Sequence, residues 1–254
     1  MGFQSIQLES AERSAWILLS KPPLNILDIP MMEEISAALD GLSKETDFVL
    51  LSGAGEKAFS AGADVRDHAP ERAGRMLQAF HGIIRKLALG EWITVAAVRG
   101  ICLGGGCELA SFCDFVIAEE SATFGQPEIK LGCFPPLAVV TFPRLIGPRA
   151  TADLILTGRT ISAREAREMG LVTRVVGDGE AKEAARELIG EIGSKSASAL
   201  RIARKAMGRF RGSEFEEALH ASEELYIREL LHTHDAEEGV RAFLEKRSPA
   251  WQGR

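Results

Sequence analysis

The sequence predicts an α/β fold followed by a helical tail. Three short segments, residues 48–53, 93–100 and 114–119, are apolar at successive positions, which is typical of strands buried on both faces of a parallel sheet. Segments with helical spacing of apolar residues separate the first strands. After about residue 177 no strong strand pattern remains, so we expect an α/β body followed by helices.

The elements are predicted in chain order from local patterns. Residues 3–20 form two short strands around the turn-like sequence ESAERS. Residues 30–43 form a helix with Pro30 in its first turn. The segment AGEKAFSAGAD, which follows the strand at 48–53, is interpreted as a loop. Further helices are predicted over residues 70–89, 180–193, 196–210, 215–232 and 235–246.

Composition and charge exclude several classes of protein. The 254 residues are 46% hydrophobic and 26% charged, enough for one large domain or a domain with an appendage. The net charge of -6 argues against nucleic acid or an anionic membrane as a partner. Four cysteines match neither metal nor disulfide spacing, and no signal peptide or span of about 18 apolar residues is visible. We therefore expect a cytoplasmic protein with reduced thiols.

The segment GICLGGGCELASFCDF, residues 100–115, places three glycines before Glu108. It follows a predicted strand and should begin a helix, whose first turn exposes unpaired N–H groups. Glycine lets another group approach that backbone closely. The spacings of phosphate-binding loops are absent, so a substrate oxygen that becomes anionic during the reaction is favoured. The alternative is close helix packing with Glu108 in solvent.

Two further segments support a catalytic site. The loop FSAGAD, residues 59–64, follows a buried strand and is placed to supply another N–H to the same oxygen. Glu128 lies in FGQPEIKLG between apolar residues. Such a carboxyl group is either bound by backbone N–H groups or used for proton transfer. His68 and His81 are each interpreted as structural or solvated, as lone histidines on helices usually are.

Four segments in order resemble the crotonase family, the enoyl-CoA hydratase and isomerase superfamily. They are FSAGADVRD, AAVRGICLGGGCELASFCDFVIAEESATFGQPEIKLG, LTGRTISAREAREMGLVTRVV and AFLEKRSPAW, and the resemblance covers essentially the whole chain. It implies a hydro-lyase built as a spiral of ββα units over residues 1–190, with a C-terminal helical trimerisation region over residues 191–254. It also implies a homotrimer or a hexamer made of two trimers.

The resemblance assigns roles to individual residues. The backbone N–H groups of Ala63 and Gly105 match the oxyanion hole, and Glu108 and Glu128 match the catalytic acids. The expected substrate-binding residues are Ala61, Asp64, Val65, Arg66, Gly104, Phe134, Leu137, Val140, Phe243 and Lys246. Among them, Phe243 and Lys246 match positions that contact the adenine of coenzyme A across a subunit boundary. Arg66 either reaches a coenzyme A phosphate or is a surface charge, and Asp64 more simply fixes its loop. No metal and no cofactor besides the substrate's own coenzyme A is expected.

One segment departs from common hydratases. Where they have a glycine-rich PGxGG sequence, this chain has CFPPLAVVTFPRL, residues 133–145. We expect Phe134, Leu137 and Val140 to wall a drier acyl pocket, and repacking without functional meaning is the alternative. With LNILDIPMM, DHAPERAGRMLQAFHGIIRK and THDAEEGVRAFLEKRSPAW, the chain resembles the cyclohexa-1,5-diene-1-carbonyl-CoA hydratases of anaerobic benzoyl-CoA degradation.

That subgroup adds water to the cyclic dienoyl thioester to give 6-hydroxycyclohex-1-ene-1-carbonyl-CoA. The alternatives are a short-chain linear enoyl-CoA hydratase and an enoyl-CoA isomerase. A non-catalytic, RNA-binding relative is a remote alternative, because both acids are present and the net charge is negative.

Overall fold

A computed structural model describes residues 2–11, 13–207 and 213–254 of the chain. The strands, numbered in chain order, are β1 (Ile6–Ala11), β2 (Ser14–Leu19), β3 (Phe48–Gly53), β4 (Ala58–Ser60), β5 (Ile93–Val98), β6 (Ile101–Leu103), β7 (Phe115–Glu119), β8 (Thr123–Gly125), β9 (Thr160–Ser162) and β10 (Arg174–Val176). They form one sheet of six strands and one of four.

The larger sheet has the strand order β1-β2-β3-β5-β7-β10. β1 runs antiparallel to β2, and the other neighbouring pairs are parallel. The three strands predicted from apolar runs, β3, β5 and β7, lie side by side at its centre, as expected for strands that are buried on both faces. The prediction of a largely parallel sheet is confirmed.

The smaller sheet has the order β4-β6-β8-β9 and is made of strands of three residues. The prediction that residues 54–64 form only a loop is wrong, since β4 lies within it. Three residues are too short to show a periodic pattern in the sequence. β6 pairs in parallel with β4 and with β8, so the segments that follow these strands begin at the same edge of the sheet.

The helices are α1 (Ile29–Asp40), α2 (Pro70–Leu89), α3 (Gly105–Phe112), α4 (Ala138–Leu145), α5 (Gly147–Thr157), α6 (Ala163–Met169), α7 (Ala181–Gly193), α8 (Ala197–Met207), α9 (Ser213–Glu224) and α10 (His234–Leu244). Pro30 lies in the first turn of α1, as predicted. The single helix predicted over 215–232 is wrong in part, because α9 is followed by a π-helical turn (Leu225–Glu229) and a 3-10 turn (Leu230–His232). Residues 208–210 of the predicted helix over 196–210 lie outside the described residues.

Two strand–strand–helix units position the site. β3, β4 and α2 form one unit, and β5, β6 and α3 form the next. A 3-10 turn, Pro127–Leu131, follows β8 at the edge where α3 follows β6. α10 packs against this turn at Gly239, where an added Cβ atom would lie 2.0 Å from the Leu131 carbonyl oxygen. The C-terminal region therefore closes over the elements that carry the site.

All four cysteines are buried and free of disulfides. Within residues 2–11, 13–207 and 213–254, no helix is long and apolar enough to cross a membrane.

Candidate active site

Glu108 lies in the first turn of α3, immediately after the glycines. Its side chain is buried, and its Oε1 atom accepts a hydrogen bond of 2.7 Å from the backbone N–H of Ala138. Ala138 is the first residue of α4, so the carboxyl group faces the positive end of that helix. The predicted alternative of a solvated Glu108 is therefore wrong.

Glu128 lies in the 3-10 turn after β8 and is also buried. The side-chain amide of Gln126, itself fully buried, lies beside the carboxyl group. With the amide oriented to satisfy both groups, its nitrogen donates to Oε1 and Oε2 of Glu128 at 3.2 Å each. Gly104, at φ 52°, leaves room for this carboxyl group, because a Cβ atom there would lie 2.6 Å from Oε1. The glycine run thus permits an approach by Glu128.

A cavity of about 20 Å³ joins the two acids. About 10–15 Å³ of such volume holds one water molecule, so this cavity is of the size needed for a single nucleophilic water. Its other walls are mostly apolar and aromatic. The lining residues are Ala63, His68, Met76, Leu77, Phe80, His81, Gly105, Glu108, Glu128, Phe134, Pro135, Pro136 and Tyr226.

The two carboxyl groups have different electrostatic surroundings. Burial raises the pKa of Glu108 to about 7, and backbone N–H groups of Ala138 and Leu137 oppose that rise. Burial, and then the nearby charge of Glu108, raise the pKa of Glu128 well above its usual range. The arrangement therefore favours one ionised and one protonated carboxyl group near neutral pH, as in a base and an acid that act together.

Two backbone N–H groups lie close together beside the acids. Gly105 begins α3, and a first-turn N–H has no acceptor within its own helix. A Cβ atom added at Gly105 would lie 3.6 Å from the backbone nitrogen of Ala63. In the part of the chain that the structure describes, the N–H of Ala63 donates to no backbone or side-chain acceptor. Both groups are therefore candidates for the oxyanion hole that the resemblance predicts.

A larger cleft of about 330 Å³ meets the small cavity at Ala63, His68 and Glu128. Of the expected substrate-binding residues, four line it: Ala61, Val65, Gly104 and Phe243. Lys130 adds positive charge to its wall, and Arg247 lies there in ion pairs with Glu238 and Glu245. The cleft can therefore accept an extended anionic ligand whose reactive end reaches the acids.

Three of the expected substrate-binding residues, Asp64, Arg66 and Lys246, do not line the cleft. Asp64 caps a 3-10 turn and forms an ion pair with Arg66, and neither residue lines the cleft. Lys246 also lies off the cleft wall, where Arg247 lies instead. Phe243 lines the cleft of its own chain, where α10 packs on the turn that carries Glu128, and its contact across a subunit boundary stays a prediction.

The acyl wall also differs from the expectation. Phe134 lines the small cavity, but Leu137 and Val140 do not, and Pro135 and Pro136 take their place. Leu137 precedes α4, with its backbone near Glu108 and its side chain fully buried in the core. Val140 packs against the same core.

The sequence analysis missed Gln126 and Tyr226 as site residues, and it interpreted His68 and His81 as structural or solvated although both line the small cavity. Gln126 is adjacent to the quoted Pro127–Glu128 pair, so its position was the available signal. His68 lines both the cleft and the cavity, and burial lowers the pKa of its side chain. His81 and Tyr226 come from α2 and from the π-helical turn, and no local pattern links them to the acids.

The Glu108→Gln variant is expected to gain stability relative to the natural protein as pH rises. Because the pKa of Glu108 rises from 4.5 to about 7 on folding, its stabilising contribution is complete below pH 4.5 and is lost as pH rises through 7. At about 1.4 kcal/mol per pKa unit, the loss is roughly 3 kcal/mol, and glutamine avoids it. Urea unfolding at pH 4.5 and pH 8 measures the change, and an equal difference at both pH values would contradict it.

Comparison with known proteins identifies the family. The family model described as enoyl-CoA hydratase/isomerase matches residues 10–254. A probable enoyl-CoA hydratase of Mycobacterium bovis is 41% identical over the whole of both chains. The cyclohexa-1,5-dienecarbonyl-CoA hydratase of Thauera aromatica is 38% identical, over 93% of this chain and 92% of its own.

Solved structures agree with these relatives. An enoyl-CoA hydratase from Bacillus anthracis superposes with a TM-score of 0.78 at 35% identity, covering 99% of this chain and all of the other. One from Mycobacterium avium subsp. paratuberculosis has a TM-score of 0.87 at 26% identity, covering 98% and 99%. The chain belongs to the enoyl-CoA hydratase/isomerase family, the crotonase superfamily. The predicted fold and the predicted enzyme class, a hydro-lyase, are confirmed.

Proposed function

We propose that this chain, an enoyl-CoA hydratase of the crotonase family, hydrates cyclohexa-1,5-diene-1-carbonyl-CoA to 6-hydroxycyclohex-1-ene-1-carbonyl-CoA. The observation that carries the proposal is the wall beside the two acids, to which Phe80, Phe134, Pro135 and Pro136 contribute. Flat, rigid groups of this kind suit a flat ring better than a flexible chain. The 38% identical relative from Thauera aromatica, named for this substrate, supports the proposal.

The proposed mechanism gives each acid one proton transfer. Ionised Glu108 takes a proton from the water, whose oxygen bonds to the carbon β to the thioester. Protonated Glu128 gives its proton to the far end of the diene. The remaining double bond moves to the central bond of the former diene, between the carbon that gains the hydroxyl group and the carbon that gains the proton. The N–H groups of Ala63 and Gly105 stabilise the thioester oxygen as it gains negative charge. Glu108 takes the first role because N–H groups at the start of α4 stabilise its anion.

The coenzyme A part is proposed to lie in the larger cleft. Lys130 lies on its wall and would face the phosphates, and Phe243 offers an aromatic surface to the adenine. Binding energy from this remote part of the substrate would align the acyl group with the acids.

The expected result is a higher kcat/KM for the cyclic dienoyl-CoA than for crotonyl-CoA. Phe134→Leu should lower the ratio of the two kcat/KM values about tenfold, because a smaller side chain contacts the ring less. Val140→Ala is the matched control, since Val140 lies in the same segment but off the cavity wall. Initial rates of product formation by the purified protein with each substrate, with the products identified by mass, measure the ratio.

The competing candidate is a linear short-chain enoyl-CoA, which the 41% identical relative favours. If the natural protein prefers crotonyl-CoA and Phe134→Leu leaves the ratio of the two kcat/KM values unchanged, the proposal of a cyclic substrate is contradicted. The assignment as a hydratase is unaffected by that result.

The C-terminal region is proposed to join subunits into a trimer or a hexamer. α8 buries none of its side chains within the chain, and its Ile202 and Met207 are about two-thirds exposed, at 68% and 67%. Apolar side chains of this size are usually covered in an interface. Light scattering of the purified protein tests the oligomeric state.

A further inference from the structure

Two polar atoms on the wall of the small cavity have no partner. Among the described residues, Nε2 of His81 and the hydroxyl of Tyr226 are buried and make no hydrogen bond. Both side chains are fully buried, and both line the cavity that holds Glu108 and Glu128. A buried polar group without a partner is unfavourable in a folded protein, so the pair indicates a ligand.

The hydrogen bond of Nδ1, the other ring nitrogen of His81, indicates which nitrogen carries the proton. Nδ1 lies 2.6 Å from Oε1 of Glu223, which also accepts a hydrogen bond from Arg85. Burial acts to raise the pKa of Glu223, but the contact with His81 and then the ion pair with Arg85 hold that pKa below its usual value, so Glu223 is ionised and can only accept. Nδ1 therefore carries the proton, and in the neutral ring Nε2 is a hydrogen-bond acceptor on the cavity wall.

Tyr226 supplies the complementary donor. It lies in the π-helical turn after α9, a local irregularity that often occurs at functional sites. Its ring packs edge-on against Phe134, with centroids 5.4 Å apart. The thiol of Cys133 donates to the Leu131 carbonyl at 3.5 Å, and its sulfur lies beside the hydroxyl, where it is at most a weak acceptor. A ligand oxygen is a stronger acceptor and can take the phenolic proton instead.

We propose that Tyr226 and His81 bind one oxygen, that of the attacking water before reaction and of the new hydroxyl group after it. This inference rests on the proposed hydration reaction. A water or hydroxyl group can accept from the Tyr226 hydroxyl and donate to Nε2 of His81 at once, which a hydrocarbon acyl group cannot do. The two glutamates transfer protons to and from the reactants, whereas Tyr226 and His81 position the oxygen. The π-helical turn beyond α9 thus contributes to positioning in the reaction.

Equilibrium binding separates this role from a merely structural one. In a Glu108→Gln background that blocks turnover, titration calorimetry compares 3-hydroxybutyryl-CoA with butyryl-CoA, which lacks the hydroxyl group. Tyr226→Phe should weaken the hydroxyl-bearing ligand about tenfold and leave butyryl-CoA within twofold. His81→Asn, which keeps a donor for Glu223 near the position of Nδ1 but removes Nε2, should act in the same direction.

Thr151→Val is the matched control, because it removes a buried hydroxyl group that bonds within α5 away from the cavity. It should change neither affinity. Equal weakening of both ligands by Tyr226→Phe, or no weakening of either, would overturn the proposal. The comparison uses linear ligands and needs no turnover, so it stays informative if the cyclic dienoyl-CoA is not the substrate.

Discussion

Glu128→Gln is expected to lower kcat for hydration by roughly 10²- to 10⁴-fold, because glutamine cannot deliver a proton to carbon. Glu108→Gln should cause a loss of the same order, because the water then lacks its base. In the natural protein, kcat/KM should rise with pH through about 7 as Glu108 ionises and fall at higher pH as Glu128 loses its proton. Rates measured from pH 5 to 10 test both effects.

Each variant should also remove one limb of the pH profile. The residual activity of Glu108→Gln should lack the rising limb, and that of Glu128→Gln should lack the falling limb. Glu120→Gln is the matched control, since Glu120 is an exposed acid whose carboxyl group lies 3.8 Å from the guanidinium of Arg164. A rising limb near pH 7 that persists in Glu108→Gln would show that another group is the base.

Gly104→Ala is expected to lower kcat on the order of 10²-fold. Alanine is strained at φ 52°, and its Cβ atom would lie 2.6 Å from Oε1 of Glu128, so the backbone or the acid must move. Gly104 also precedes the N–H of Gly105, and a displacement of about 1 Å in such a site is enough for a loss of this size. Steady-state kinetics with either substrate measure it.

Gly74→Ala provides the comparison for this variant. Gly74 lies within α2, and an added Cβ atom there meets nothing within 4 Å. Alanine favours a helix by up to about 1 kcal/mol over glycine, so this variant should keep its kcat and unfold at a higher temperature. If Gly104→Ala behaved in the same way, the close approach of Glu128 would have no catalytic importance.

The sequence predicted the parts of the site that depend on local chemistry. Glycines before a helix indicate accessible N–H groups wherever they occur, and Glu108 could be placed at that helix start without knowing the fold. Ala63 and Gly105 could be paired only through the family resemblance, because their proximity depends on β4 and β6. These strands have three residues each and leave no period to detect.

The predictions fail where tertiary contacts decide which way a side chain points. Leu137 was expected on the acyl wall, but it ends the connection into α4, so its backbone faces Glu108 and its side chain enters the core. His81 and Glu223 are 142 residues apart, and no pattern in a single sequence joins them. The π-helical turn that orients Tyr226 is equally hidden, because its residues have ordinary helical spacing.

The hydrogen bond from Ala138 to Glu108 has a consequence for redesign. The segment that contributes Phe134, Pro135 and Pro136 to the wall of the small cavity continues directly into the helix whose first N–H binds Glu108, the proposed base. An exchange of this segment for that of a relative would therefore change which acyl group fits and how readily Glu108 gives up its proton. In the proposed mechanism, the preference for an acyl group and the working pH range depend on the same segment. A variant designed to change one of these properties should therefore change the other.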